Sequence, residues 1–113
     1  MVSRSANAVP EATAEATMDG DGTMTVRGVL SFDTVPEVFA KSAAWVQKSQ
    51  GAITIDLKNV DRADSAGLAL LVEWLQLARR RNRELTFANV PEQVRSLIRV
   101  NGLSTALGIS SSR

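Results

Sequence analysis

The sequence predicts an α/β fold in which helices pack on a mixed β-sheet after an opening β-hairpin. Two weakly alternating segments flank Asp19-Gly20-Asp21-Gly22, a turn motif that is typical of hairpins. The short apolar run 52–57 is rich in β-branched residues, as expected of a central strand. From residue 34 onward helical and strand patterns alternate, which indicates crossover connections between parallel strands.

The composition predicts one compact domain that is not an enzyme. The chain has 113 residues, of which 44% are hydrophobic, so it can bury a core of its own. It contains no cysteine and no histidine, which removes disulfides, thiolate metal sites and Ser-His catalysis. The net charge of +1 argues against a nucleic-acid partner. We expect a flexible lead-in over 1–12, the domain over 13–108 and a flexible tail over 109–113.

An amphipathic helix is predicted after the hairpin strands, which we expect over 14–18 and 24–28. Thr34-Val35-Pro36-Glu37 supplies an N-cap hydroxyl, a proline in the first turn and a glutamate three residues after the cap. Ser49-Gln50-Gly51 ends the helix. The residues that share its apolar face are Val35, Val38, Phe39, Ser42, Trp45 and Val46.

A short polar loop and a second helix, from Ala66 to Arg81, are predicted after the central strand. One apolar row of this helix is expected to pack on the core: Leu68, Leu71, Val72, Leu75 and Ala78. A second row, also at positions i, i+4 and i+7, consists of Leu70, Trp74 and Leu77. Either the first helix or a partner protein must cover this second row.

Three shorter elements complete the predicted order. A strand is expected over 85–88. Asn89-Val90-Pro91-Glu92 repeats the capping pattern and starts a third helix, which ends at Asn101-Gly102. The apolar positions of that helix are Val94, Leu97 and Ile98. The segment 103–107 is expected to add a last short element.

The junction between the central strand and the second helix is the best candidate for a functional site. Asp64 and Ser65 stand where the helix begins, and both residue types are preferred N-caps worth about 1 kcal/mol. A hydroxyl there also lies beside unpaired backbone N–H groups and the positive end of the helix dipole, where a phosphate is stabilised. Capping, contact with a partner protein and phosphorylation therefore all remain open for Ser65.

The motif Asp64-Ser65-Ala66-Gly67-Leu68 resembles the signature of STAS domains, and it follows a strand ending in Asp56-Leu57. The resemblance covers roughly residues 14–107. That family includes anti-sigma factor antagonists, the cytoplasmic tails of sulfate transporters and the STAS subunit of the Mla-type phospholipid ABC transporter. The resemblance implies a STAS-like mixed sheet with helices packed on it, and a module that binds other proteins.

Two positions differ from the regulated members of the family. In anti-sigma factor antagonists the motif is Asp-Ser-Ser-Gly-Leu, and the serine directly before the glycine accepts a phosphate. Here that position is Ala66, which has no hydroxyl. Those proteins usually carry Gly-x-Leu-Asp after the second strand, whereas this chain has Gly28-Val29-Leu30-Ser31. Both differences argue against a partner-switching antagonist, which we keep as the alternative function.

The Mla-type subunits accommodate both differences. Their motif is Asp-Thr-Gly-Gly-Leu-Ala-Leu, in which the hydroxyl lies one position earlier than in the antagonists, and Ser65 matches its threonine. The resemblance implies a non-catalytic subunit, with no cofactor or metal, that binds and activates the ATPase of a Mla-type phospholipid transporter together with its permease. Such a subunit supports outer-membrane lipid asymmetry in a Gram-negative bacterium. It would be cytoplasmic and peripheral to the inner membrane, with no span of its own. The residues expected to face the ATPase are Asp64, Ser65, Ala66, Gly67, Leu70, Trp74 and Leu77.

Two charged clusters are weaker candidates. The basic run 79–83 ends the second helix, where the dipole favours cations, and an acidic protein patch or anionic lipid headgroups are alternative explanations. The acids Asp56, Asp61 and Asp64 suggest magnesium, but no phosphate-binding loop accompanies them.

Overall fold

The computed structural model describes residues 13–109, and its order of elements confirms the predicted α/β fold. The seven elements are β1 (Ala14–Met18), β2 (Thr23–Leu30), α1 (Val35–Lys48), β3 (Ile53–Ala63), α2 (Ser65–Arg80), β4 (Leu85–Ala88) and α3 (Glu92–Val100). The predicted lead-in and residues 110–113 of the predicted tail lie outside the described residues. Ile109 was assigned to the tail, but it is buried and its N–H donates to the Ser104 carbonyl at 2.8 Å. The domain therefore extends one residue further than predicted.

The four strands form one mixed sheet in the order β1-β2-β3-β4. β1 and β2 are antiparallel and form the predicted hairpin, while β2, β3 and β4 run parallel. Alternate residues are buried along β3, as Ile53 and Ile55 are, while Thr54 between them is partly exposed. The helices cover the buried side of the sheet, with α1 packed on β1 and α2, and α3 packed on α2 and β3.

The predicted polar loop after the central strand is wrong, because β3 continues to Ala63. Its register against β2 shifts twice, so the strand carries irregularities of the β-bulge type. Each bulge adds one residue and breaks the alternation of period two. The buried positions Leu57, Val60 and Ala63 consequently fall three residues apart, separated by exposed charged and polar pairs. Such a pattern looks like a loop in the sequence.

Thr34 does not cap α1 through its hydroxyl, contrary to the prediction. Its Oγ1 instead donates to the Val29 carbonyl at 2.7 Å and accepts from the Ser31 N–H at 2.9 Å. The Thr34 side chain therefore points back toward β2 and ties the loop 31–34 to the end of that strand.

The second predicted capping pattern also acts differently. α3 has Pro91 at its N-cap position and no side-chain cap. Asn89 adopts a φ of 54° and its Nδ2 donates to the Asp56 Oδ1 at 3.1 Å, so its side chain fixes the end of β4 to β3. The last expected element consists of turns over 104–108, which place Leu107 in the core.

Candidate functional site

The candidate site lies at the carboxyl ends of two parallel strands. β2 ends at Leu30 and β3 ends at Ala63, and these two residues are paired in register. The next N–H, that of Asp64, donates to the Leu30 carbonyl at 3.0 Å. The loop 31–34 and the first turn of α2 therefore lie side by side at this edge, where open α/β sheets commonly bind their ligands.

Asp64 is the cap of α2. Its Oδ1 accepts from the Ala66 N–H at 2.8 Å and from the Gly67 N–H at 3.2 Å. Its Oδ2 accepts a longer hydrogen bond, 3.4 Å, from the Phe32 N–H. One carboxylate thus joins the first turn of α2 to the neighbouring loop, and it resolves the choice of cap that the sequence left open.

Ser65 is the first residue of α2 and is exposed, while Ala66 is partly exposed. Since Asp64 supplies the cap, the Ser65 hydroxyl takes no part in it. A hydroxyl that the helix does not use, at an exposed helix N-terminus, is available to another molecule.

A glutamine that the sequence analysis overlooked holds the end of β3 in place. The Gln93 side chain accepts from the Ala63 N–H at 2.8 Å through Oε1 and donates to the Ala63 carbonyl at 2.9 Å through Nε2. β4 pairs with β3 only as far as Asp56, so this amide supplies the hydrogen bonds that a neighbouring strand would otherwise make. The residue just before the Asp64 cap is thereby fixed.

Gly67 was expected to face a partner, but it is buried within the domain. A Cβ on this residue would lie 2.8 Å from Cβ of Leu30, from the Leu30 carbonyl oxygen and from Cβ of Ala63. The absence of a side chain lets α2 approach the ends of β2 and β3 closely. Gly67 therefore positions α2 against the strands and is not itself exposed to a partner.

The expectation that Leu70, Trp74 and Leu77 bind a partner is wrong. These side chains are 1%, 0% and 4% exposed, because α1 packs on this side of α2. The indole Nε1 of Trp74 donates to the Ser42 Oγ at 2.7 Å, and that hydroxyl donates to the Val38 carbonyl at 2.8 Å. Of the two coverings that the sequence allowed, the first helix is the one observed.

The structure adds Phe32 to the site. Its side chain is 80% exposed, in a turn that closes with the N–H groups of Thr34 and Val35 donating to the Ser31 carbonyl at 3.0 and 2.9 Å. Sequence reasoning missed it because Phe32 belongs to no strand or helix pattern. The available signal was a large apolar residue between two polar neighbours, in a loop beside the motif.

The three acids do not form a metal centre in the described structure. Asp56 lies within β3, where its Oδ1 accepts from the Lys58 N–H at 3.0 Å and from Asn89, and its Oδ2 lies 4.0 Å from the Lys58 Nζ. Burial, the largest single influence, raises the pKa of Asp56, but the Lys58 and Asn89 hydrogen bonds and the Lys58 charge together bring it below its ordinary 3.8. Over residues 13–109 no three acidic side chains converge on one point that suits a metal ion.

The basic run at the end of α2 is divided between packing and surface. The Arg83 Nε donates to the Ser49 carbonyl at 2.6 Å, which ties the end of α2 to the end of α1. Arg79, Arg80 and Arg81 are exposed. None of the helices between residues 13 and 109 combines the length and the apolar character that crossing a bilayer requires.

Known proteins resemble this chain in sequence and in fold. It is 29% identical over 85 residues to an anti-sigma-B factor antagonist of Staphylococcus aureus, covering 75% of this chain and 79% of that protein. It is 25% identical over 96 residues to BtrV of Bordetella bronchiseptica, described as a putative anti-sigma factor antagonist, covering 85% and 83%. The solved structure of the antagonist SpoIIAA in its unphosphorylated form has a TM-score of 0.66 at 20% identity, covering 81% and 83%. This last likeness supports the fold.

One protein family accounts for nearly the whole described structure. The family model described as "Mlab, STAS domain" matches residues 13–109. This match includes the sheet, the three helices and the capped motif at residue 64. The chain therefore belongs to the STAS-domain family.

Proposed function

We propose that this STAS domain is a non-catalytic module that binds a partner protein through its docking surface, defined as Phe32, Asp33, Asp64, Ser65 and Ala66. The observation that carries the proposal is the division of work between neighbours at the start of α2. Asp64 accepts from the N–H groups of Ala66 and Gly67 in the first turn, so the exposed Ser65 hydroxyl is left for an intermolecular hydrogen bond.

The partner we propose is the ATPase subunit of a Mla-type phospholipid ABC transporter. Ala66 supports this choice, because an alanine directly before the glycine cannot carry the phosphate that controls antagonists. The description of the matched family, which names Mlab, supports it as well. Bound to one arrangement of the ATPase, the module would increase the population of that arrangement and so favour ATP hydrolysis. This role places the protein on the cytoplasmic side of the inner membrane, held there by the transporter.

A second candidate is an anti-sigma factor antagonist that releases a transcription factor. Both sequence relatives carry that description and neither is described as a transporter subunit, so the relatives favour this candidate over the transporter. For this role the phosphate acceptor would be Ser65, one position earlier than in the antagonists. A phosphate at the N-terminus of α2 would gain from the helix dipole but would compete with the Asp64 carboxylate for the same N–H groups.

A tagged full-length protein, recovered from native membranes and analysed by mass spectrometry, tests the proposal. We expect an ABC ATPase and its permease with the wild type, and neither with Ser65→Arg. The matched control is Gln76→Arg, which places the same charge at an exposed position farther along α2. A thermal melt of each variant must show that folding is unchanged.

The other outcomes of this experiment are equally informative. Recovery of a kinase-like anti-sigma factor, with a phosphate on Ser65 after incubation with it, would replace the transporter by the second candidate. Unchanged recovery of the ATPase with Ser65→Arg would remove the docking surface from the interface. Turnover of a small molecule by the isolated domain would overturn the non-catalytic assignment.

A further inference from the structure

Phe32 is exposed to a degree that folding does not explain. At 80% exposure it is one of two large apolar side chains that the described structure leaves in solvent, the other being Val100 at 78%. Aromatic side chains, phenylalanine included, bury a large apolar area and are enriched where one protein binds another. An aromatic ring that contributes nothing to its own core is therefore available to the core of an interface.

The backbone that carries this ring is held rather firmly for a loop. The Thr34 hydroxyl donates to the Val29 carbonyl and accepts from the Ser31 N–H, so it ties the loop 31–34 to the end of β2. On the other side the Phe32 N–H donates to Asp64 at 3.4 Å. Binding pays less entropy when the anchor is already positioned, so this loop is suited to present Phe32.

The two segments that meet beside Phe32 carry an excess of acidic residues, which indicates the kind of surface that they bind. The segments 31–34 and 61–65 contain three carboxylates, Asp33, Asp61 and Asp64, and a single guanidinium, that of Arg62. Their formal sum is therefore negative, although the whole chain carries +1. Surfaces of opposite sign associate faster and exclude like-charged competitors.

We propose that Phe32 is the anchor of the docking surface and inserts into an apolar pocket of the partner protein whose rim carries lysine or arginine. This inference rests on the proposed function, since it concerns the same surface, and it specifies the chemistry of the partner. Ser65 supplies the polar contact beside the anchor, and Asp64 positions both because its carboxylate bonds to the backbone on either side.

Binding of purified Mla-type ATPase subunit to full-length variants measures the role of the ring. Phe32→Ser is expected to weaken the affinity by at least about tenfold, as loss of a buried aromatic anchor does. Val100→Ser, the matched control at similar exposure, is expected to change it by less than about twofold. If Phe32→Ser binds like the wild type while Ser65→Arg does not bind, the anchor is refuted and the proposed function stands.

Photocrosslinking keeps the test independent of the choice of partner. A photoreactive phenylalanine analogue is placed at position 32, 65 or 100 in cells, and the adducts are sequenced. We expect adducts at 32 and 65 to one protein, attached at 32 to apolar residues near lysine or arginine, and none with that protein at 100. An adduct at 65 alone overturns the anchor, whereas no adduct at either position overturns the anchor and the proposed function together.

The basic rim has its own readout in the association rate. Asp33→Lys is expected to slow association at low salt, and the difference from wild type should vanish near 1 M salt, where screening acts within about 3 Å. Glu84→Lys is the control, because this exposed acid precedes β4 and lies at the amino ends of the parallel strands, away from Phe32. Faster association of Asp33→Lys would contradict a basic rim.

Discussion

Helix α2 contains two regions that meet different surroundings. The row Leu70, Trp74 and Leu77 is buried beneath α1, whereas the first turn, with Ser65, faces solvent beside the loop 31–34. Both regions were expected to bind a partner. The difference teaches that an apolar row at helical spacing predicts burial without saying which neighbour provides it. Here the neighbour belongs to the same chain, so the first region stabilises the domain and only the second is free to dock.

The largest effect on stability is expected from Trp74→Ala. Loss of a fully buried tryptophan costs about 3–5 kcal/mol through lost burial and the cavity that remains. Urea unfolding followed by circular dichroism measures the change. Trp74→Phe is the milder companion if the first variant does not fold, because it removes the hydrogen bond to Ser42 while keeping most of the ring. If Trp74→Ala kept the stability of the wild type but no longer bound the partner, the row of Trp74 would be a binding surface and not part of the core.

Gly67→Ala tests how closely the start of α2 packs on the ends of β2 and β3. The added methyl would lie 2.8 Å from the Leu30 carbonyl oxygen and from the Cβ atoms of Leu30 and Ala63, so α2 must shift or tilt. We expect a loss of about 1–3 kcal/mol in the free energy of unfolding, as in other overpacked sites. Gly51→Ala is the matched control, because its added Cβ meets nothing within 4 Å. Equal stability of the two variants would show that the packing at Gly67 is loose.

More of the fold than of the site could be predicted from the sequence. The order of elements, the hairpin turn and the apolar face of α1 follow local rules that a few neighbouring residues satisfy, and the structure confirms them. The length of β3 follows no such local rule, because Val60 and Ala63 reach the core only through bulges that depend on the register with β2. The hydrogen bonds of Gln93 to Ala63 join residues 30 positions apart, which no local pattern encodes.

The site was predicted where its chemistry is local and missed where it depends on packing. A cap at Asp64 or Ser65 follows from residue preferences at a helix start, and the structure selects Asp64. Phe32 joins the site only because Leu30 and Ala63 are paired, which brings two distant loops together. Leu70 and Trp74 were misassigned for the converse reason, since the position of α1 against α2 is a tertiary property.

Asp64→Ala is expected to have a moderate effect, since it removes the cap of α2 and the contact to Phe32 at once. Loss of an N-cap costs about 0.5–2 kcal/mol. Asp64→Asn keeps an acceptor oxygen and should recover most of the stability, which separates the cap from the charge. Thermal unfolding of both variants measures this. If Ala and Asn destabilise equally, the hydrogen bonds of Oδ1 are not what stabilises the helix start.

The smallest effect on stability is expected from Ser65→Ala, one residue further on. Its side chain is exposed and outside the cap, so the free energy of unfolding should change by no more than about 0.5 kcal/mol. Affinity for the partner should nevertheless fall, because the partner loses its hydrogen bond to the hydroxyl.

The two adjacent alanine variants thus form one experiment: Asp64→Ala lowers the melting temperature, whereas Ser65→Ala lowers binding at constant melting temperature. If Ser65→Ala instead lowers the melting temperature as much as Asp64→Ala, Ser65 is a structural residue and the docking surface loses its polar centre. The expected separation would mean that binding through the Ser65 hydroxyl can change without a cost to folding, because the cap of α2 is supplied by its neighbour Asp64.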